Sequence, residues 1–124
     1  PVEDPVEDPV EDPVEDPVVL EEFGAVEAAK LIETKPGLVI IDVRTPEEYS
    51  AGHIEGAINI NFLGDGFEAA LDSMNNGAPT LFHCASGGRS GKALAVFEKL
   101  EFRELYHLND GFKGWEAAGL SVVK

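Results

Sequence analysis

One cysteine, one methionine and one tryptophan occur in 124 residues, and these scarcities bound what the chain can be. A single thiol forms no intrachain disulfide and supplies no multi-cysteine zinc site, so Cys84 is either buried filler or a reagent. No apolar run approaches the ~18 residues a membrane-spanning helix needs, so no membrane partner is expected. Basic residues are few. Nine Lys and Arg stand against 24 Asp and Glu, a formal net charge of −15, which makes nucleic acid and anionic lipid poor partners. His53, His83 and His107 lie in separate segments with no ligand spacing, so no metal is expected. No dinucleotide fingerprint or P-loop is present, and Gly64-Asp65-Gly66 reads as a turn, so no cofactor is expected either.

The opening segment is of a different kind. Residues 1–18 repeat Pro-Val-Glu-Asp four times and end on Pro17-Val18, with a proline at every fourth place and adjacent acids that repel one another. Such a run disfavours helix and is expected to be a disordered acidic tail, either a solvated spacer or a tether for a partner it does not name. It holds eight of the 24 acids, which leaves −7 for residues 19–124, a length that suits one domain. The chain opens on Pro1 without Met, which fits a removed leader, a cut chain or a fragment. Acidic low-complexity spacers often follow removed leaders, so the expected compartment is periplasmic rather than cytoplasmic.

From Val19 onward helical and strand-like segments alternate. Gly24 to Glu33 has apolar residues near helical spacing, stopped by Pro36-Gly37. Leu38 to Ile41, ending in Asp42, is a short apolar β-branched run of the kind buried on both faces of a parallel sheet. Thr45-Pro46-Glu47-Glu48 then reads as an N-cap, a first-turn proline and first-turn acids. Strands are expected at Ala57 to Ile60, Thr80 to His83 and Leu105 to Leu108. Helices are expected at Phe67 to Ser73, Ser90 to Leu100 and Phe112 to Ala118, with Phe112 and Trp115 packing the last one on the sheet. This alternation predicts an α/β fold, a parallel sheet flanked by helices, whose chemistry sits at the carboxyl ends of strands. Cys84 stands at one such end.

After Cys84 come Ala85, Ser86, Gly87, Gly88, Arg89 and Ser90, small residues leading into a helix start. Gly87 and Gly88 are expected to let the backbone curl into an anion nest whose N–H groups lower the thiol pKa. Arg89 would either brace the loop or orient an anionic donor, with a plain surface charge as the alternative.

The loop Cys84 to Ser90 resembles the active-site loop of rhodanese sulfurtransferases, and the likeness runs from Leu38 to Lys124. It is carried upstream by Ile41-Asp42-Val43-Arg44-Thr45-Pro46-Glu47-Glu48-Tyr49 and by Gly52-His53-Ile54-Glu55-Gly56-Ala57-Ile58-Asn59-Ile60. Downstream it is carried by Leu108-Asn109-Asp110-Gly111-Phe112-Lys113-Gly114-Trp115. The resemblance implies a rhodanese-like twisted parallel sheet with helices on both sides. It implies that Cys84 takes the outer sulfur of thiosulfate or another sulfane donor as a persulfide and passes it to cyanide or a thiol. Residues 85–89 would cradle the persulfide, and Asp42, Arg44 and Ser90 would support the loops. The chain departs from the family pattern at Glu55, Glu101, Asp110 and Ser121. Most of these are expected in turns; Asp110, in place of a glycine, either reaches the pocket or occupies a left-handed turn that Asp tolerates.

Two competing readings remain at this point. His83-Cys84 and Arg89-Ser90 fit the signature of cysteine-dependent phosphatases and arsenate reductases, except that four residues rather than five separate Cys84 from Arg89. A tetrahedral phosphate needs a wider ring of donors than one sulfur does, so the short loop favours sulfur. The other reading is a non-catalytic partner-binding module, which would leave Cys84 unused.

Overall fold

The computed structural model describes residues 19–124, and the expectation for residues 1–18 lies outside them. Ten elements follow one another: β1 (Val19–Phe23), α1 (Ala25–Thr34), β2 (Val39–Asp42), α2 (Pro46–Ala51), β3 (Ile58–Asn59), α3 (Phe67–Asp72), β4 (Thr80–His83), α4 (Gly88–Lys99), β5 (Glu104–Leu108) and α5 (Gly111–Ala117). The strands form one sheet in the order β1-β5-β4-β2-β3, and every pairing is parallel. Each strand therefore returns by a crossover, which is what places helices on both faces.

The period of two along the strands splits the core into two layers. Ile41, Phe82 and Leu105 point to one face, where Phe67 and Leu71 of α3 and Ala93 and Phe97 of α4 cover them. Ile40, Leu81, Tyr106 and Leu108 point to the other, against Ala25 and Ala28 of α1 and Phe112 and Trp115 of α5. The expected packing of Phe112 and Trp115 is found: both are buried, and Trp115 Nε1 donates to Ser121 O at 2.8 Å.

Most expected segments appear with ends moved by one or two residues. Three differences have physical causes. Val19-Leu20-Glu21-Glu22-Phe23 was given no strand by its composition, yet it pairs along its length with β5 as the sheet's edge, where acids are tolerated because only one side is bonded. Helix α4 begins at Gly88 rather than Ser90, so Gly88 and Arg89 belong to its first turn. Asp110 is not left-handed: its φ is −74°, and Gly111, at φ 69°, makes the turn instead. Glu101, another of those departures, does adopt the left-handed conformation, at φ 63°.

Asp42 and His83 end their strands, and Cys84 follows directly, so the residues of interest collect at the carboxyl end of the sheet. No described helix is long and apolar enough to cross a membrane.

Candidate active site

Cys84 is 1% exposed and sits between the end of β4 and the start of α4. The Gly87 N–H donates to its Sγ at 3.1 Å, and the Ser90 hydroxyl lies 3.4 Å from the same atom. Burial pushes the thiol up, but the Ser90 hydroxyl and the backbone N–H groups of Ser90, Ser86 and Gly87 outweigh it, and the thiol lies below its ordinary value. Of the residues from 85 to 90, Ser86, Gly87 and Ser90 turn backbone N–H groups towards the sulfur.

Only one of the loop's two glycines is required. Gly87 has φ 105°, and a Cβ there would stand 2.4 Å from Asn109 O. Gly88 has open space where a Cβ would be and a helical backbone, so the expectation that it helps the loop to curl is corrected. Gly111, across the cleft, is required for the same reason: its Cβ would meet Ala85 O at 2.4 Å. The cysteine loop and the β5–α5 turn are in backbone contact. Two bonds hold them: Phe112 N donates to Cys84 O at 2.8 Å, and Lys113 N donates to Ala85 O at 3.0 Å.

Asp42 and Arg44 form a buried pair. Arg44 Nε lies 2.9 and 3.1 Å from the two Asp42 oxygens, and Nη2 donates to Oδ2 and to Gly52 O, each at 2.7 Å. The guanidinium lies over the Phe112 ring, 4.1 Å from its centre. The pair thus joins the end of β2 to the end of α2 and to α5. An open cleft in front of it is lined by Arg44, Glu48, Gly52, Ala85, Phe112 and Lys113, among others, and Asp110 is not among them.

Arg89 does not face a vacant anion site. Its two terminal nitrogens lie 2.8 and 2.9 Å from the two oxygens of Glu48. The same Glu48 accepts from Thr45 N, and Thr45 Oγ1 accepts from Glu48 N, which completes the capping box of α2. Hydrogen bonding to Arg89 holds the Glu48 carboxyl down at about 2. Of the two roles weighed for Arg89, bracing the loop is the one its contacts serve.

Two histidines stand behind the cysteine. His83 Nδ1 lies 2.9 Å from Cys84 O, while its Nε2 has no partner among the described residues and is 3.9 Å from Asp42 Oδ2. Burial lowers its pKa, which keeps the ring neutral. His107 Nε2 lies 2.7 Å from Ser90 Oγ, and its Nδ1 lies 2.9 Å from Glu22 Oε1. Glu22, Glu48 and His107 were missed as site residues. Their partners are far along the chain, and only the register of β1 on β5 and the position of α2 bring them in.

Comparison with known proteins identifies the family. A family model described as the rhodanese-like domain matches residues 24–118. The thiosulfate sulfurtransferase GlpE of Pseudomonas putida is 35% identical over 94 residues, covering 73% of this chain and 81% of that protein. The uncharacterised protein YqhL of Bacillus subtilis is 36% identical over 76 residues, 61% of this chain and 59% of its own. The crystal structure of a rhodanese-like domain protein from Staphylococcus aureus superposes with a TM-score of 0.70 at 26% identity, over 84% of this chain and 99% of that one. The chain belongs to the rhodanese-like domain family.

Proposed function

We propose that the protein is a sulfurtransferase that carries sulfane sulfur on Cys84 as a persulfide. The observation that supports this reading is the Gly87 N–H held 3.1 Å from a buried cysteine sulfur whose thiol pKa is lowered. Relatives named thiosulfate sulfurtransferase point to a thiosulfate-like donor.

The chemistry balances without a cofactor. The Cys84 thiolate attacks the outer sulfur of thiosulfate; a Cys84 S–S bond forms, the donor's S–S bond breaks, and sulfite leaves with the electron pair. Cyanide or a thiolate then attacks the outer sulfur, and the Cys84 thiolate leaves. The Gly87 N–H and its neighbours stabilise the anion at both stages. Ala85, Ser86, Gly87 and Gly88 would form the wall against the transferred sulfur, Arg89 would hold the loop to α2, and Asp42 and Arg44 would fix the opposite wall.

The phosphatase reading loses its support because Arg89, the cation that would clamp a phosphate, is already paired with both oxygens of Glu48. The deciding experiment is intact-protein mass spectrometry after exposure to thiosulfate. The expected result is a gain of one sulfur atom on Cys84 that cyanide or dithiothreitol removes and that Cys84→Ser abolishes. No gain from thiosulfate or any other sulfane donor would overturn the reading.

A further inference from the structure

Ser90 Oγ has one hydrogen and three neighbours able to accept it: His107 Nε2 at 2.7 Å, Cys84 Sγ at 3.4 Å and Gly87 O at 3.4 Å. Which of them receives it depends on His107. The Glu22 carboxylate accepts from Nδ1, so in the neutral ring Nδ1 carries the hydrogen and Nε2 has a lone pair facing Ser90. In that state the hydroxyl points at His107. If His107 gains a proton at Nε2, the direction reverses: Nε2 donates to Ser90 Oγ, and the Ser90 hydrogen is released to the cysteine sulfur.

We propose that Glu22, His107 and Ser90 form a proton relay that receives the Cys84 thiol proton and holds it while the sulfur acts as a nucleophile. The Cys84 S–H proton moves to Ser90 Oγ as the Ser90 hydroxyl proton moves to His107 Nε2. The products are a thiolate facing a Ser90 O–H and an imidazolium held by Glu22. No atom is gained or lost and nothing is oxidised, and the return of the proton reverses both transfers. Ser90 touches the reacting sulfur; His107 and Glu22 act through it as positioning residues.

The surroundings suit such a path. His107 is 5% exposed and its ring stacks on Phe82, with centroids 4.9 Å apart, so it has little freedom to turn. Glu22 is directly opposite His107 in the β1–β5 register, and Asn109 Nδ2 donates to the same Glu22 oxygen at 3.0 Å. The Glu22 side chain is 51% exposed, which opens the far end of the relay to water. Among the described residues, His107 acts electrostatically on His83, as do Asp42 and Arg44, while Arg89 with Glu48 stands on the side of Cys84. Arg44 and Asp42 are paired with each other, as are Arg89 and Glu48, and burial keeps His83 neutral. This leaves His107 as the base adjoining Ser90.

This inference rests on Cys84 being the nucleophile, and its test reads the thiol without sulfur transfer. The rate of Cys84 alkylation by iodoacetamide, and the ultraviolet absorbance of the thiolate, are followed against pH for the full chain and for His107→Gln, Ser90→Ala, Glu22→Gln and the His107→Gln/Ser90→Ala double variant. His107→Gln and Ser90→Ala are expected to move the profile about one pH unit upward, about tenfold in rate at neutral pH, and to meet the unmutated protein at alkaline pH. Glu22→Gln should shift it about threefold in the same direction. The double variant should shift no further than Ser90→Ala alone, because His107 acts only through Ser90. A loss equal at every pH, additive shifts, or no shift would overturn the relay. Glu22→Gln alters a half-exposed side chain outside the core, so it decides the matter even if a buried substitution fails to fold. A profile that shifts as stated in a protein that takes no sulfur would leave the relay standing and remove the sulfurtransferase reading.

Discussion

Arg89 and Glu48 meet fork to fork across 41 positions of sequence, at 2.8 and 2.9 Å, and tie the first turn of α4 to the first turn of α2. The cationic side chain next to the cysteine loop is thereby already paired. Removing it should loosen the loop rather than delete an anion contact. Arg89→Ala is expected to lower kcat/KM several-fold for thiosulfate and by the same factor for an uncharged persulfide donor. A loss confined to thiosulfate would show that Arg89 leaves Glu48 to bind the donor.

The same pair sets an acid limit. Glu48 is held at about 2 against an ordinary value of 4.5, so its folded pKa is depressed. The sign follows: the contribution is fully present above the ordinary carboxylate range and is lost as pH falls through about 2. Glu48→Gln should therefore lower the melting temperature at neutral pH, and the gap between the two proteins should close as acid is added. With both side chains partly open to water, added salt should narrow the gap as well. A gap that persists at the acid end would assign the effect to the cap of α2 alone.

Backbone contact between the cysteine loop and the β5–α5 turn makes Gly87 and Gly111 unequal to Gly88. Gly87→Ala and Gly111→Ala each drive a methyl to 2.4 Å from a carbonyl oxygen at positive φ. Each is expected to destabilise the fold by more than ~2 kcal/mol in urea unfolding, while Gly88→Ala should cost under ~1 kcal/mol. A Gly88→Ala loss as large as that of Gly87→Ala would mean that the loop, not the helix, claims Gly88.

Arg44→Ala removes the partner of Asp42, which is fully buried. Leaving that carboxylate alone should cost ~3–5 kcal/mol. Arg44→Lys cannot restore the fork or the stacking on Phe112, and it is expected to recover less than half of the loss. Full recovery by lysine would reduce the pair to a point-charge contact.

What was legible beforehand follows from the range of the forces involved. Local signals marked Thr45-Pro46 as a helix start, the apolar run up to Asp42 as a buried strand and Cys84 as a strand-end residue, and these elements lie where they were expected. Strand β1 was hidden because an edge strand with Glu21 and Glu22 lacks the apolar alternation of a buried one, and it forms only once β5 offers its free side. With β1 hidden, Glu22 had no visible relation to His107, 85 positions away. Glu48 was read correctly as a first-turn acid, but its second partner is set by the docking of α2 on the cysteine loop, which no local pattern encodes. Gly88 was misread for the opposite reason: adjacent glycines look alike in sequence, and only the approach of Asn109 O to Gly87 separates them.

The carbonyls of Cys84 and Ala85 are held by the N–H groups of Phe112 and Lys113, residues that follow the cysteine by almost thirty positions. During synthesis the thiol therefore leaves the ribosome well before the part of the chain that shapes its surroundings. Until residue 113 has emerged, Cys84 lacks that clamp and its loop is free to take other shapes. The surroundings of Cys84 are thus completed only when α5 docks against its loop.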